Sequence, residues 1–492
     1  LNTSTQASEP YVSNVSDPEF QKLGDDLAQG NYSSKEERDA MMARALELSL
    51  EDSLFVWVID QKTYAPYANN VHVTFDLATG PESTNVGPYN LRFKDQEGGT
   101  LKIGTNDLFT EPWHSVAGSN WIWDGFVVRM TTQGSSNITG GGGLMADPYT
   151  GLAYPQRIAS AELTYKEGLP INQSLDWLTV TAAPQVDVPA DAWIDWDATE
   201  QRFITVGEKY PDGLTANVKS LVAYPDDLFE TVKWHDGSPL SAGDFVMNMI
   251  LSFDPGKTES KMYDEALALS INATLSAFKG YRIVSTDPLT IEAYSDTYNT
   301  NAELNILTLW PQDLYGLGYE NSWPVLAVSN LAEVNGELAY SEDKAGALEV
   351  EQTNWVGGPS LEVLGKYLDQ AATESHIPYA ATMSQFVTKE EADLRYANLK
   401  QWVADHGHYM VGTGPYYLDQ AFTTEKSVVL KHFADFPDLA DRWSQFSEPK
   451  LATTLLDGPG QVKSGAEAMF DVTINFKDEP YLLSDIARVK YI

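Results

Sequence analysis

The stretch TVKWHDGSPLSAGDFVMNMILSFD, residues 231–254, changes its hydrophobic period within a few residues, and few folds admit such a change. Before Asp236-Gly237 the pattern is that of a short apolar strand, and after Ser241 it is that of a helix. Asp-Gly suits a tight turn, because Gly accepts positive φ and Asp bonds back to its own backbone. Ser241 then reads as an N-cap, with Ala242, Phe245, Val246, Met249 and Ile250 on one buried helical face. A strand that turns straight into a buried helix belongs to α/β folds. Nothing in the stretch demands chemistry, so it reads first as scaffold.

The remaining bounds are compositional. A chain of 492 residues can build two or three domains, and 43% hydrophobic with 11% aromatic residues describes globular protein rather than disorder. A net charge of −38 repels nucleic acid and anionic lipid headgroups, so no nucleic-acid partner is expected. No cysteine occurs, which excludes disulfides, thiolate metal sites and thiol nucleophiles and fits an exported protein. Sequons at Asn2, Asn14, Asn31, Asn137, Asn172 and Asn272 are compatible with a glycoprotein outside the cell. No apolar run approaches the ~20 residues that span a bilayer. The sequence opens at Leu1-Asn2-Thr3 and closes on Lys490-Tyr491-Ile492, a strand-like pattern, so a piece of a longer precursor is expected.

Composition shifts divide the chain at about residues 95 and 450. In the first segment, 1–95, Ser34-x-x-Glu37 is a capping box for a helix with Met41, Ala45 and Leu48 on one face. The run Leu54–Ile59 then reads as a strand covered on both sides. The second segment, 96–449, mixes strand-like runs (Arg282-Ile283-Val284, Leu289–Tyr294) with helices. The clearest helix is Glu390–Ala404, with Leu394, Leu399 and Val403 among its apolar positions. Within this segment Ser135–Gly143 is too glycine-rich for regular structure. In the third, 450–492, Phe470, Val472, Ile474 and Phe476 alternate with polar residues, the pattern of a half-buried antiparallel strand opening a β-sandwich.

Several of these stretches together resemble a known family. Trp-His-Asp-Gly-Ser-Pro-Leu-Ser-Ala at 234–242, followed by Asp244 and Phe245-Val246, is similar to the characteristic stretch of the family 5 extracytoplasmic solute-binding proteins. These are the oligopeptide-, dipeptide- and nickel-binding components of ABC importers. Gly98-Gly99-Thr100-Leu101-Lys102-Ile103-Gly104 looks like that family's first strand, Ile283–Ile291 like its next hairpin, and Gly412-Thr413-Gly414-Pro415-Tyr416 like its glycine-rich turn. The resemblance covers about residues 96–450. It implies a two-lobe fold of the periplasmic-binding-protein type II kind, a hinge-closing receptor for a peptide-like solute, and permease subunits as partners. It also implies a monomer held outside the cytoplasm through a segment outside this chain, with no cofactor and no enzyme activity. The order departs from the usual one. Little follows the glycine-rich turn before the expected sandwich, while Glu36–Tyr67 looks like the helix and strand that close the second lobe, yet comes first. This resembles a longer, rearranged branch with a trailing immunoglobulin-like domain.

A binding cleft needs flat apolar faces and a few polar groups. Three indoles, Trp113, Trp121 and Trp123, fall within eleven residues beside Asn120 and Asp124, where the family's chain leaves its first strand and borders the cleft. Packing beneath the loop is the competing role for these rings. Trp310 with Tyr315 and Tyr319, and Trp355 beside Asn354 and Gly357-Gly358, are further ligand-binding candidates. Peptides and oligosaccharides suit such a lining equally. A structural or adhesive cell-surface glycoprotein is the rival class. No Gly-x-Ser-x-Gly, His-Glu-x-x-His or phosphate-loop motif occurs. His406-Gly407-His408 pairs two imidazoles but lacks the third ligand of a metal site, so none is expected.

Overall fold

The computed structural model describes residues 17–52, 58–59, 64–74, 76, 80, 84–133, 143–311, 318–320, 322–448, 451–463, 465–477, 479–481 and 486. Most of Leu54–Ile59, all but Gly143 of Ser135–Gly143, Tyr315 and Lys490–Ile492 lie outside the described residues. The chain is a mixed α/β protein.

The first elements of the described residues are two helices, α1 (Pro18–Gln29) and α2 (Lys35–Asp52), which pack on each other. The Ser34 hydroxyl accepts the Glu37 N–H at 3.1 Å, as the capping pattern predicts, although the Glu37 carboxylate reaches the N–H of Ser33 instead of Ser34. Ala45 and Leu48 are buried. From residue 94 to 121 the backbone has neither helix nor strand, so the expected strand at Lys102-Ile103 is absent. Gly98 and Gly99 both take positive φ, Ile103 is 46% exposed, and among the described residues no neighbouring strand meets its backbone. Strand-forming side chains without a pairing partner do not make a strand.

Helix α3 (Ile122–Thr131) leads towards the main sheet, built from β1 (Ser160–Lys166), β2 (Leu178–Ala183), β3 (Trp193–Asp197), β4 (Arg202–Thr205) and β5 (Val218–Ala223). Helix α4 (Ala242–Leu251) follows, then the hairpin β6 (Phe278–Thr286) and β7 (Leu289–Ser295). The seven strands lie in the order β2-β1-β5-β7-β6-β3-β4. Only β1 and β2 run parallel. The others pair antiparallel, with Val222 opposite both Ala161 and Ile291 at the centre of the sheet. Strand β5 alternates buried and half-buried residues, whereas β7 is buried along Ile291–Tyr294, as a strand covered on both faces must be.

Helices α5 (Trp323–Val334), α6 (Ser360–Glu374) and α7 (Lys389–His406) pack together, and α4 packs on α5. Burial of α4 is not confined to one face: every residue from Gly243 to Ile250 is buried, the mark of a helix inside the core. Helix α7 also differs from its sequence pattern. Leu394 is half-exposed, while Ala392, Arg395, Tyr396, Leu399 and Trp402 face inward. After α7 comes the hairpin β8 (Tyr416–Phe422) and β9 (Ser427–His432). Residues 433–446 then return to the start of the chain: Trp443 and Phe446 share a small core with Val86, Tyr89 and Met145, and the Asn90 amide donates to the Trp443 carbonyl at 2.9 Å.

The tail forms β10 (Thr453–Asp457) and β11 (Asp471–Phe476), antiparallel as expected, with Glu479–Pro480 on the far edge of β11. Its apolar face is not covered among the described residues. Val472 lies opposite Leu456, and both are exposed, as is Phe470; Ile474 and Phe476 are half-buried.

Candidate functional site

The turn at 234–241 is held from three sides. Gly237 has φ +85° and donates its N–H to the Trp234 carbonyl at 2.9 Å, while Asp236 Oδ1 accepts the Ser238 N–H at 2.9 Å. Val232-Lys233, expected as strand, makes only one bridge, Lys233 to Pro239. A two-sided turn this tight leaves no length for a ladder. At the helix start the Asp244 carboxylate accepts the Ser241 N–H at 3.0 Å, while the Ser241 hydroxyl donates to Glu391 at 2.8 Å.

Asp244 is fully buried, and so is Arg395, which grips it with two bonds of 2.8 and 2.9 Å across 151 residues of sequence. The guanidinium lies 5.9 Å from the Trp234 ring and 5.4 Å from that of Trp323. The Trp234 indole N–H and the Trp323 backbone N–H both end on the Asp244 carboxylate. A buried ion pair is favoured when its remaining polar atoms find partners; here two indole-bearing residues complete the carboxylate's set, while the Arg395 Nε has no hydrogen-bond partner among the described residues.

The next residue, His235, joins this turn to the glycine-rich turn at 412–416. Its N–H donates to the Gly412 carbonyl at 2.8 Å, and its Nδ1 accepts the Gly412 N–H at 3.2 Å. The ring proton therefore sits on Nε2, which donates to the Gly414 carbonyl at 3.0 Å. Full burial pushes the imidazole pKa down to about 3, so the ring is neutral. Both glycines are required by contact. A Cβ at Gly412 would lie 2.1 Å from the Thr131 carbonyl oxygen, and one at Gly414 would lie 2.4 Å from the Thr132 nitrogen.

Between those glycines, Thr413 meets a buried carboxylate that sequence patterns did not single out. Glu320 accepts the N–H and hydroxyl of Thr413, the Gln133 N–H at 2.9 Å and the Trp310 indole N–H at 2.8 Å. It forms no ion pair with any described lysine or arginine. Burial therefore dominates and raises its pKa to about 7. The Gln133 amide donates to the Thr413 carbonyl and accepts from Arg157, whose guanidinium pairs with Asp438 at 2.7 and 2.8 Å. One polar chain thus ties the end of α3 to the glycine-rich turn and to the returning segment.

The tryptophan loop at 111–124 has two sides. Trp113 is fully buried against Phe109, with ring centroids 4.6 Å apart, and its carbonyl accepts the Trp355 N–H at 2.9 Å. Trp355 is itself buried and donates its indole N–H to Ser329 at 3.0 Å, and Trp310 is buried on Phe245 and Glu320. These three indoles, with Tyr319, are core side chains and present no face to solvent. Asp124 is also buried. It accepts the Phe109 N–H at 3.0 Å and the Ser119 hydroxyl at 2.6 Å, and burial raises its pKa, so it fastens the loop to the first turn of α3. On the outer side Asn120 is exposed, Trp121 is 37% exposed and Trp123 is half-buried. Only these remain where a ligand can touch them.

A cleft of about 440 Å³ opens elsewhere, between α7 and the β8–β9 hairpin, lined by His235, Asp236, Trp402, Asp405, Tyr417 and His432 among others. The sequence reading missed it. Asn398, Gln401, Trp402 and Asp405 share one face of α7 at helical spacing, but only the fold shows that this face lies open beside the hairpin. His406 lines the same cleft, whereas His408 is buried and spends both ring nitrogens on backbone partners, the Leu418 carbonyl and the Met410 N–H. Among the described residues no group of histidines and carboxylates has the arrangement of a metal site, and no helix is long and apolar enough to cross a membrane. No protein-family model matches the chain, and no curated protein matches it.

Proposed function

We propose that the chain is the extracytoplasmic receptor of an ABC importer, capturing a small peptide-like solute between two α/β lobes and handing it to a membrane permease without a catalytic step. The observation that carries this reading is the junction of its two most specific family-like stretches. Trp234–Ala242 and Gly412–Tyr416 lie far apart in sequence, yet His235 and Gly412 exchange hydrogen bonds in both directions. A chance scatter of similar stretches along the chain gives no reason for them to interlock. A third such stretch, Ile283–Ile291, forms the β6–β7 turn at one end of the main sheet.

In this reading affinity comes from partly desolvated rings and fixed polar groups, with Trp121 and Asn120 as the contacts and hinge motion as the working step. The test is a melting-temperature screen of the purified chain against short peptides of varied length and, in parallel, cello- and malto-oligosaccharides. Mass spectrometry of whatever co-purifies with the native protein complements it. Peptides that bind should raise the melting temperature, and the shift should keep growing logarithmically with peptide concentration above Kd. Stabilisation by the oligosaccharides alone would transfer the reading to a sugar receptor. If neither class binds and nothing co-purifies, the receptor reading falls.

A further inference from the structure

We infer that the outer edge of β2 accepts a further strand, an extended segment of a partner polypeptide with basic side chains at its ends. The inference rests on the main sheet alone and does not need the transport reading. The N–H of Glu167 donates to the Ala183 carbonyl at 2.8 Å, which fixes the phase of the β1–β2 ladder. Thr179, Thr181 and Ala183 therefore bond inward to β1, and Leu178, Val180 and Ala182 turn their N–H and C=O groups outward. The Gln173 amide takes the Leu178 carbonyl at 2.6 Å. The outward groups of Val180 and Ala182 have no partner among the described residues.

The opposite edge of the same sheet is guarded. On β4, Arg202 pairs with Glu208 at 3.0 Å, and the Glu208 carboxylate also accepts the Thr205 N–H at 2.8 Å. Next to it the Gln201 carbonyl accepts the Thr382 hydroxyl at 2.8 Å, and the short helix Ala380–Met383 packs alongside. Charge and cover of this kind stop an edge from pairing. Strand β2 has no charged residue, no proline and no bulge. Thr179, Thr181 and Ala182 are exposed, while half-buried Val180 packs on the core and holds the strand in place. Outward N–H and C=O groups repeating every second residue match another extended backbone.

Charge narrows the occupant. The exposed carboxylates of Glu162, opposite Thr179, of Asp176, before the strand, and of Glu167, beyond its end, make no ion pair among the described residues. Lys166, opposite Ala183, is the only lysine or arginine on β1 or β2. A second copy of this chain, itself at −38, would bring the same carboxylates to the contact, whereas a basic strand is drawn to them.

The experiment is calorimetric titration of the full chain with acetyl-Lys-Val-Thr-Val-Lys-amide, with the same peptide N-methylated at its central residues, and with its counterpart carrying Glu in place of Lys. Sedimentation of the chain alone over a range of concentrations runs beside it. The basic peptide should bind and the N-methylated one should not, because methylation removes the donors of the ladder. The acidic peptide should bind at least about threefold more weakly. Ala182→Pro removes one outward donor, leaves the bonds to β1 intact, and should weaken the basic peptide by about tenfold or more at an unchanged melting temperature. Thr181→Lys keeps the ladder and adds a like charge; it should weaken the basic peptide by about threefold and keeps the test alive if the proline variant does not fold. Equal binding of the N-methylated peptide, no binding of the basic one, or undiminished affinity in the folded variants overturns the inference. Self-association of the chain that Ala182→Pro abolishes also overturns it, because the occupant is then a second copy.

Discussion

Asp244 and Glu320 are both buried carboxylates at joints of the fold, and they are built alike up to one difference. Each accepts an indole N–H, from Trp234 at 3.1 Å and from Trp310 at 2.8 Å. Each accepts a backbone N–H from a distant segment, from Trp323 at 3.0 Å and from Gln133 at 2.9 Å. Asp244 also has the Arg395 guanidinium, whereas among the described residues Glu320 has only neutral donors. The comparison teaches what neutral hydrogen bonds can do. Several of them satisfy the geometry of a carboxylate, yet burial still raises the pKa of Glu320 to about 7.

The harshest way to break the comparison is to take the cation from Asp244. Arg395→Met leaves a buried anion facing two indoles and should cost about 3–5 kcal/mol of unfolding free energy, read from denaturant titration. Asp244→Asn alone strands the guanidinium and should cost a similar amount. The double variant should recover a substantial part of the summed loss, because the two side chains act as one unit. A double variant as unstable as the sum would show that the pair is not coupled.

Glu320 offers the converse experiment, in which pH supplies the neutralising proton. Its folded pKa, about 7, lies above the ordinary glutamate value of 4.5, so the folded state holds the proton more tightly over that window. Stability from this group is therefore fully present below about pH 4.5 and is lost as pH rises through 7. The loss amounts to about 3 kcal/mol. Buried neutral histidines tilt the other way. His235 and His114, with pKa values pushed down by burial to about 3, lower stability as pH falls below 6.5. Comparing the natural chain with Glu320→Gln at each pH cancels the histidine contribution. The difference in unfolding free energy should grow in favour of Glu320 as pH drops from 7 to 4.5, and a flat difference would remove the proposed titration.

The hold on Glu320 also depends on how closely Thr413 is pressed to it. Gly414→Ala would place a methyl group 2.4 Å from Thr132 backbone and push the turn away from Thr131–Gln133. We expect a loss of about 1–3 kcal/mol, with the pH dependence assigned to Glu320 reduced in the same variant. Full stability in Gly414→Ala would mean that the turn has room to shift.

Much of this scaffold was legible in the sequence, because it rests on local rules. Asp236-Gly237 required a turn, Ser241 started a helix, and the alternation from Phe470 to Phe476 gave an antiparallel strand. What failed was whatever depended on a distant partner. Lys102-Ile103 has no strand to pair with among the described residues, and the alternating face of β11 has no described layer above it. The site was less legible for the same reason. Crowded indoles mark aromatic packing but not its side: Trp113, Trp310 and Trp355 went to the core and Trp121 to the surface. No local pattern singles out Arg395, because only the fold brings Asp244, 151 residues earlier, beside it.

Trp121 supplies the mildest contrast and the sharpest test of where ligand contact lies. Trp234 and Trp310 each donate to a buried carboxylate, so truncating either would disturb a joint of the fold. Trp121 stands at the N-cap of α3 and is 37% exposed, and its carbonyl, which any residue would supply, accepts the Gly125 N–H at 3.1 Å. Trp121→Ala should therefore lower stability by only about 1 kcal/mol, since a partly covered ring surrenders part of its buried area. If the outer side of the loop meets the solute, the same variant should weaken binding by about 1–3 kcal/mol, the scale of an aromatic anchor that becomes fully covered in the complex. Melting curves and calorimetry on one sample separate the two quantities. A large fall in melting temperature with unchanged affinity for a peptide that binds the natural chain would make Trp121 part of the loop's packing, leaving the 111–124 segment as a brace between α3 and residues 354–355.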